Sequence, residues 1–309
     1  MKTVKAYAPA SIGNVSCGFD VMGLAVDAPG DEVIISLSDS GVVTIKGIEG
    51  DNGKLPRLAE ENTAGVAVIE YLKAIQSKHG AEITLIKNLP LGSGMGSSAA
   101  SAVAAVVAIN HLFDNRLPKR DLLPFAMQAE FIACGSAHAD NAAPSLLGGL
   151  ILIRDNHPLD IIEVPTPEEL MCVLVHPHVE IKTRDARQVM KKTIPIKDAI
   201  TQWGNTAALV AGMMKPDYEL IGRSLQDVVA EPVRSVLIPG FHTIKAKAIE
   251  TGALGCGISG SGPTMFAFCR SKAIAERVGN AMQQQFTDLG LQSEVYVSGV
   301  NKEGARIIT

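Results

Sequence analysis

Apolar and β-branched residues recur along the chain in short stretches that Gly, Pro and Asp interrupt, a pattern that predicts strands. The expected strands span residues 4–8, 32–37, 42–45, 82–87, 150–153, 171–175, 255–259, 264–269 and 294–297. The turn-forming sequence Asp39-Ser40-Gly41 predicts that residues 42–45 return beside residues 32–37 as a hairpin. Residues 255–259 and 264–269 are expected to pair as neighbouring strands.

The period of the pattern changes to that of a helix after Asn62. Apolar residues then recur at helical spacing before Gly80 closes the segment, at Val66, Ile69, Leu72 and Ile75. Further helices are expected at about residues 98–111, 119–133 and 273–286, with several more between residues 184 and 249. Because strands and helices alternate irregularly, the pattern favours an α+β fold over a doubly wound sheet.

The length and the prolines together suggest two domains. A chain of 309 residues with 47% hydrophobic content can bury a large core. The segment Pro165-Thr166-Pro167 is the best candidate for a linker. We therefore expect an N-terminal domain over residues 1–165 and a C-terminal domain over residues 166–309.

Composition and charge narrow the class of protein. The net charge is -4 and no basic stripe with interleaved aromatic residues occurs, which argues against nucleic acid as a partner. The apolar run Ala99–Ile109 is too short to cross a membrane, and no apolar run of a signal peptide follows Met1. The five cysteines are irregularly spaced without a C-x-x-C pair, which fits the reducing cytoplasm.

A loop rich in glycine and serine carries the clearest chemistry in the sequence. Gly92, Gly94 and Gly96 stand at alternate positions after a predicted strand, and Ser97-Ser98 opens the predicted helix that follows. Glycines let the backbone approach a ligand closely, and the free N–H groups of a helix N-terminus favour an anion. The arrangement predicts a cradle for nucleotide phosphates, and hence a small-molecule kinase that uses ATP.

The same loop excludes two other phosphate-binding motifs. A Walker loop requires a lysine directly after its last glycine, and this chain has Ser97 there. The dinucleotide fingerprint requires an acidic residue later, on a second strand, and none stands at that position. A tight turn that only packs a helix on a sheet is the alternative, and the run of Ser and Ala after Gly96 makes it less favoured.

Phosphoryl transfer also needs a divalent cation, and Mg²⁺ prefers hard oxygen ligands. The Ser98 hydroxyl stands beside the expected phosphates. The accompanying carboxylate is expected from Glu130, near the end of an apolar helix. Taken alone, Glu130 could equally belong to a solvated helix face.

Three segments resemble the motifs of a known superfamily. The segment 90–101 resembles the central motif of the galactokinase, homoserine kinase, mevalonate kinase and phosphomevalonate kinase superfamily. The sequences Pro9-Ala10-Ser11-Ile12-Gly13-Asn14 and residues 255–264 resemble its first and third motifs. Residues 14–20, 138–144 and 183–187 are similar to the bacterial homoserine kinase branch. No lysine stands near Ser11, unlike in the mevalonate branch.

The resemblance implies a fold and a reaction. The N-terminal domain is expected to be a ribosomal-protein-like α+β layer with a left-handed crossover, and the C-terminal domain to be ferredoxin-like. ATP and Mg²⁺ are expected to act on the side-chain hydroxyl of L-homoserine, on the route to threonine. Family habit suggests a homodimer.

The resemblance also assigns roles to individual residues. The metal ligands are expected to be Ser98 and Glu130. Asn62 and Lys87 are expected near the adenine, although Asn62 is first a helix cap. The phosphate cradle comprises Leu91, Gly92, Ser93, Gly94, Met95, Gly96, Ser97, Ser98, Ala99, Ala100 and Ser101.

An amino-acid substrate presents a carboxylate, an ammonium and, here, an alcohol. A carboxylate is best held by arginine forks, and the candidates are Arg187 and Arg234, with Arg184 a weaker third. The ammonium is expected to meet Asp20 and Asn14. The remaining substrate contacts are assigned to His138 and Thr183.

The transfer itself is assigned to two neighbouring residues. Asp140 resembles the aspartate that other members of the superfamily use as a base, and Asn141 resembles the residue that orients the substrate hydroxyl. In the absence of the lysine near Ser11, we favour Asn141 as the orienting group, with the proton passing to the phosphate. A sugar or mevalonate-class kinase, and a sensor that binds without turnover, are the competing interpretations.

Overall fold

The computed structural model describes residues 2–135, 139–181 and 183–308. The strands are β1 (Thr3–Gly13), β2 (Met22–Ser38), β3 (Val43–Glu49), β4 (Gly80–Ile86), β5 (Leu150–Asn156), β6 (Leu159–Val164), β7 (Met171–Pro177), β8 (Gly255–Ile258), β9 (Met265–Cys269), β10 (Ser293–Gly299) and β11 (Arg306–Ile308). The helices are α1 (Thr63–Ala74), α2 (Ser97–Leu112), α3 (Leu123–Cys134), α4 (Ala139–Leu147), α5 (Thr183–Gln188), α6 (Ile196–Met214), α7 (Tyr218–Ser224), α8 (Glu231–Arg234), α9 (Phe241–Thr251) and α10 (Lys272–Asp288).

A seven-stranded sheet forms the first layer. Its main path runs β11-β1-β2-β4-β3, and β5 with β6 joins at the beginning of β2. The long strand β2 serves two neighbours because its residues 22–24 pair with β5 and its residues 32–38 pair with β4. Helix α2 packs on β1 and β2 and touches α1, α3 and α4. Its small Ala, Val and Ser side chains are buried on nearly every side, as a central helix requires.

The predicted hairpin between residues 32–37 and 42–45 is wrong. Strand β4 lies between β2 and β3, and β3 runs parallel to β4, with α1 in the crossover. A turn signal reports only that the chain bends, not which strand later takes the neighbouring position. The side chains of β4 are more deeply buried than those of β3, so β4 occupies the interior position and β3 the edge.

A four-stranded antiparallel sheet forms the second layer. Its order is β10-β7-β9-β8, and helices α5 to α9 connect β7 to β8 while α10 connects β9 to β10. This succession of strand, helix, two strands, helix and strand is that of a ferredoxin-like unit. The predicted pairing of residues 255–259 with 264–269 is confirmed as β8 and β9. Residues 165–170, which include the prolines, connect the two sheets.

Strand β11 returns to the first sheet, where it pairs with β1. A single bridge between Val26 and Val300 precedes that return. The sequence pattern did not predict β6, α4 or β11. Strand β11 is only three residues long, and β6 has two adjacent exposed residues, so neither carries a strong alternating pattern.

Three glycine-containing segments interlock between the layers. The Ser11 amide donates to the Met95 carbonyl at 3.1 Å, and the Gly260 amide donates to the Gly13 carbonyl at 3.0 Å. The Ser259 hydroxyl donates to the Gly94 carbonyl at 2.8 Å. The first, second and third sequence motifs are therefore in direct backbone contact.

Gly94 has no room for a side chain at this junction. A Cβ there would overlap the Ser259 carbonyl oxygen and lie 2.8 Å from the Gly262 amide nitrogen, and its φ is +81°. Gly53 has a similar φ of +72°, but nothing lies within 4 Å of its Cβ position. Substitution of either glycine by alanine would cause similar backbone strain, but only the substitution at Gly94 would add steric overlap.

We expect Gly94→Ala to destabilise the protein by about 2–3 kcal/mol more than Gly53→Ala, because overlap with backbone adds to the strain that both share. Urea unfolding followed by circular dichroism measures the difference. Equal losses in the two variants would contradict the tight junction.

Candidate active site

A cavity of about 680 Å³ lies where the glycine-containing segments meet the helices of both layers. Most of the residues that the sequence singled out line it. They are Asn14, Asp20, Asn62, Lys87, Leu91, Gly92, Ser93, Gly94, Gly96, Ser97, Ser98, Ser101, Glu130, Asp140, Asn141, Arg187 and Arg234. Met95, Ala99 and Ala100 are fully buried in the core instead, so they support the loop from behind.

The phosphate loop has the conformation that its glycines allow. Gly92, Gly94 and Gly96 have φ angles of 64°, 81° and 70°. Gly96 is the N-cap of α2 and offers no capping side chain, so the first N–H groups of the helix face the loop. A Cβ at Gly96 would overlap the Ser11 hydroxyl oxygen. The loop is thus a backbone cradle at a positive helix end, which suits an anion.

A buried ion pair lies beneath this cradle. Lys87 Nζ bonds to Asp31 Oδ2, to the Ser97 carbonyl at 2.9 Å and to the Ser101 hydroxyl at 2.7 Å. Asp31 Oδ1 accepts from the amides of Asn88 and Leu89, both at 3.0 Å. All three ammonium hydrogens of Lys87 therefore have protein partners. The expected contact of Lys87 with the nucleotide stays a prediction. No local pattern in the sequence pointed to Asp31.

Glu130 and Ser98 meet beside the phosphate loop. Glu130 is 3% exposed, so its alternative interpretation as a solvated helix face is wrong. Burial raises the pKa of its carboxyl to about 7, against the opposing effects of a hydrogen bond with Ser98 and the charge of Lys87. Its Oε1 atom is buried without a hydrogen-bond partner. An orphaned carboxylate oxygen next to a hydroxyl and a phosphate cradle fits Mg²⁺, which commonly combines one carboxylate with phosphate oxygens.

Asp140 and Asn141 begin α4 at the other end of the loop. Asn141 Oδ1 accepts a hydrogen bond from the Ser11 hydroxyl at 2.9 Å, and its Nδ2 donates to Asp140 Oδ1 at 3.3 Å. Burial raises the pKa of Asp140 to about 7, and the Asp20 charge adds to the rise. A Cβ at Gly13 would lie 3.0 Å from both side chains, so this glycine makes room for them.

Two arginines from different helices face this pair. Arg187 Nη1 donates to Asp20 Oδ2 at 2.5 Å. Arg234 is 5% exposed and donates to the Ala186 carbonyl at 3.1 Å and the Gly260 carbonyl at 3.0 Å. Asn14 also donates to the Gly260 carbonyl, at 2.9 Å. Of the seven candidate substrate residues, Asn14, Asp20, Arg187 and Arg234 thus lie in one cluster.

The opposite end of the cavity lies near the beginning of α1. Asn62 Oδ1 accepts from the Ala64 amide and its Nδ2 donates to the Pro56 carbonyl, so this side chain caps the helix and fixes the preceding loop. Asp185 and Ser261 also line the cavity, and both belong to segments that resemble family motifs although neither was assigned a role. Cavity-lining residues that the sequence reasoning missed altogether are Leu55, Pro56, Glu61 and Glu180. Their local sequence carries no motif, and only the fold brings them to the cavity.

Three of the predicted substrate residues lie wholly or partly outside the described part of the structure. His138 lies outside the described residues. Thr183 and Arg184 belong to α5, but their side chains lie outside the described part of the structure.

Four thiols are free and buried: those of Cys17, Cys172, Cys256 and Cys269. Among the described residues, no helix combines the length and apolarity that a membrane crossing needs.

The chain matches two family models. The model described as "GHMP kinases N terminal domain" matches residues 62–149, and "GHMP kinases C terminal" matches residues 209–288. The crystal structure of mevalonate kinase from L. major in complex with R-mevalonate has the same fold, with a TM-score of 0.71 at 13% identity over 97% of this chain and 96% of that one. The chain belongs to the GHMP kinase family.

Relatives that match over nearly their full length indicate the branch of the family. A homoserine kinase from Chlorobium phaeobacteroides is 52% identical over 100% of both chains, and one from Xylella fastidiosa is 38% identical over 98% of this chain and 94% of its own. The crystal structure of a homoserine kinase from Cytophaga hutchinsonii superposes with a TM-score of 0.98 at 52% identity, over 100% of this chain and 98% of that chain. Within the family, these relatives place the chain among the homoserine kinases.

The raised pKa of Glu130 predicts that Mg²⁺ binding depends on pH. Below pH about 7 the carboxyl is mostly protonated and a poor ligand, so Mg²⁺ affinity of the ADP-bound protein should rise about tenfold between pH 6 and pH 8. Calorimetry in buffers of different ionisation enthalpy should detect release of about one proton at pH 6.

Glu130→Gln should lose both the affinity and the proton release. Glu61→Gln, which changes an exposed carboxylate of the same cavity, is the matched control and should keep both. A pH-independent affinity in the unaltered protein would contradict the assignment of Glu130.

Proposed function

We propose that this protein transfers the γ-phosphoryl group of ATP to the side-chain hydroxyl of L-homoserine, which yields O-phospho-L-homoserine and ADP on the route to threonine. One observation carries the proposal: a phosphate cradle, a paired-arginine cluster and Asn141 all line the same cavity. The full-length relatives at 38–52% identity, all named homoserine kinase, support the same substrate.

The nucleotide is proposed to enter at the α1 end of the cavity. Its phosphates then lie on the backbone of residues 91–98, where the N–H groups at the beginning of α2 face them. Lys87 contributes positive charge from beneath the cradle, although Asp31 offsets part of it. This arrangement replaces the lysine that a Walker loop would provide.

Ser98 and Glu130 would hold Mg²⁺ at this point. When bound, the cation neutralises charge on the phosphates. The described residues hold no group of three or more His, Cys, Asp or Glu suited to a metal, so a cation here would depend on nucleotide oxygens as well.

The amino-acid end of the substrate matches the remaining side chains by charge. The guanidinium groups of Arg187 and Arg234 suit the carboxylate, and Asp20 suits the ammonium. The Gly96 end of the phosphate loop lies against Asn141, so a hydroxyl held by Asn141 would lie beside the phosphates. Phosphoryl transfer depends chiefly on such positioning.

Asn141 is proposed to orient that hydroxyl. Ser11 and Asp140 hold the Asn141 amide from two sides, so its orientation is set before the substrate binds. The bond from the γ-phosphorus to ADP breaks as the bond to the homoserine oxygen forms. The hydroxyl proton passes to an oxygen of the transferred phosphate, and Asp140 keeps Asn141 in place.

Release of ADP with a panel of acceptors tests the substrate. We expect turnover of L-homoserine, and none of mevalonate or galactose, because only homoserine carries both an ammonium group for Asp20 and a carboxylate for Arg187 and Arg234. Mevalonate carries a carboxylate without the ammonium group, and galactose carries no charge. Turnover of mevalonate without homoserine would reject the proposal, and turnover of none would favour a sensor.

The same assay tests the arginine cluster. Arg187→Met should raise the KM for homoserine at least about tenfold and leave the KM for ATP unchanged. Arg223→Met removes an exposed arginine of α7 outside the cavity and is the matched control. An effect of Arg187→Met confined to ATP would contradict its role.

The role of Asp140 can be separated from that of a base. At a Mg²⁺ concentration that saturates the site at every pH, so that Glu130 does not contribute, kcat/KM of the unaltered protein should rise as the pH increases through about 7, because the ionised carboxylate of Asp140 accepts the Asn141 hydrogen bond most strongly. Asp140→Asn should abolish this rise and retain at least about a tenth of the activity at pH 8. A loss of about 100-fold or more would instead indicate general-base catalysis.

A further inference from the structure

Phe19 contacts both arginines of the substrate cluster. The Arg187 guanidinium carbon is 5.6 Å from the centre of its ring, and that of Arg234 is 4.9 Å away. Both distances fall within the range of cation–π contact. One aromatic ring therefore touches two cationic groups that come from separate helices, α5 and α8.

The loop that carries Phe19 is strained. Asn14, Val15, Ser16 and Asp20 all have positive φ angles, of 70°, 45°, 61° and 60°. Left-handed backbone is costly for residues other than glycine, above all for a β-branched residue such as Val15. Strain of this kind persists only where the surrounding structure enforces it, and it concentrates at functional sites.

Hydrogen bonds hold the strained loop on both sides. The Asn14 amide group donates to the Gly260 carbonyl at 2.9 Å, while its Oδ1 accepts from the Asp20 amide at 2.9 Å. On the other side, Gln202 and Thr206 of α6 both donate to the Cys17 carbonyl at 2.8 Å. Phe19 is thus presented at a set position by contacts that do not involve its own side chain.

The two guanidinium groups need such support. Burial lowers the pKa of Arg234, and the nearby charge of Arg187 lowers it further, whereas Asp20 opposes the shift. Two like charges in one cluster repel each other, and an aromatic face attracts both. Arg234 donates to the Ala186 and Gly260 carbonyl groups through its Nε and Nη1 atoms, so the five-donor guanidinium retains donors for a ligand.

We propose that Phe19 is a positioning residue that holds the Arg187 and Arg234 guanidinium groups as a pair, and thereby sets the preference for substrates that carry a carboxylate. The inference rests on the proposed function, because it takes homoserine as the substrate whose carboxylate the pair receives. It adds that an apolar side chain, which makes no hydrogen bond to the substrate, determines carboxylate specificity.

Two competitors of homoserine separate this role from a general structural one. L-2-Aminobutyrate carries the carboxylate and the amine without the hydroxyl, and 3-aminopropan-1-ol carries the amine and the hydroxyl without the carboxylate. For Phe19→Leu, we expect the KM for homoserine and the inhibition constant of aminobutyrate to rise about tenfold. The inhibition constant of aminopropanol and the KM for ATP should change less than about twofold.

Phe19→Tyr keeps the ring face and should stay within about threefold of the unaltered protein in every constant. Pentafluorophenylalanine at position 19 keeps the size and apolarity of the ring but removes its negative face, so it should reproduce the carboxylate-specific loss. This second variant gives the answer even where Phe19→Leu fails to fold.

The outcomes distinguish the two proposals. If the unaltered protein does not phosphorylate homoserine, the proposed function fails. If it does, but the fluorinated ring leaves aminobutyrate binding unchanged, or weakens aminobutyrate and aminopropanol equally, the positioning role of Phe19 is wrong.

Discussion

The site depends on backbone segments that approach one another more closely than side chains would permit. At Gly94, the phosphate loop lies against the turn between β8 and β9, and the Ser259 hydroxyl closes the contact at 2.8 Å. The same turn also contacts the first motif, where the Gly260 amide donates a hydrogen bond to the Gly13 carbonyl. Because the two sheets meet through this junction, the nucleotide cradle and the substrate cluster have a fixed relation.

The charged groups next to that junction are buried, and their surroundings determine how each charge is stabilised. The Asp31–Lys87 pair is held under the cradle by five further hydrogen bonds to backbone and serine groups, which is the condition for a buried pair to be tolerated. Burial raises the pKa values of Glu130 and Asp140 to about 7, against the opposing charges of Lys87 and Arg187 respectively. The resting site therefore holds two carboxyl groups that readily exchange protons near neutral pH.

Local sequence was a good guide to the elements and to the glycine motifs, because both depend on residues near one another in the chain. The helix that begins at Asn62, the helix after the phosphate loop and the pairing of β8 with β9 were predictable for this reason. The position of β3 was not, since it depends on a strand that comes 30 or more residues later. The role of Asp31 could not be predicted for the same reason, because its partner Lys87 lies 56 positions away.

The residues of the candidate site also fall into those that the sequence could predict and those that it could not. Arginine, aspartate and serine residues could be nominated from the chemistry of a substrate, and the fold brings the described ones to one cavity. Phe19 could not, because a single phenylalanine in a sequence normally signals only packing. Its significance arises from two arginines on distant helices, which only the tertiary structure brings together.

The return of β11 to the first sheet bears on how the protein is made. Strand β1 is synthesised before the second sheet, yet its neighbour β11 follows that whole sheet in the chain. Until then one edge of β1 offers unpaired backbone groups, the kind of edge that recruits other strands. Completion of the first domain thus waits on synthesis of the second, so the nascent chain carries an open sheet edge throughout the interval in which both halves of the active site are produced.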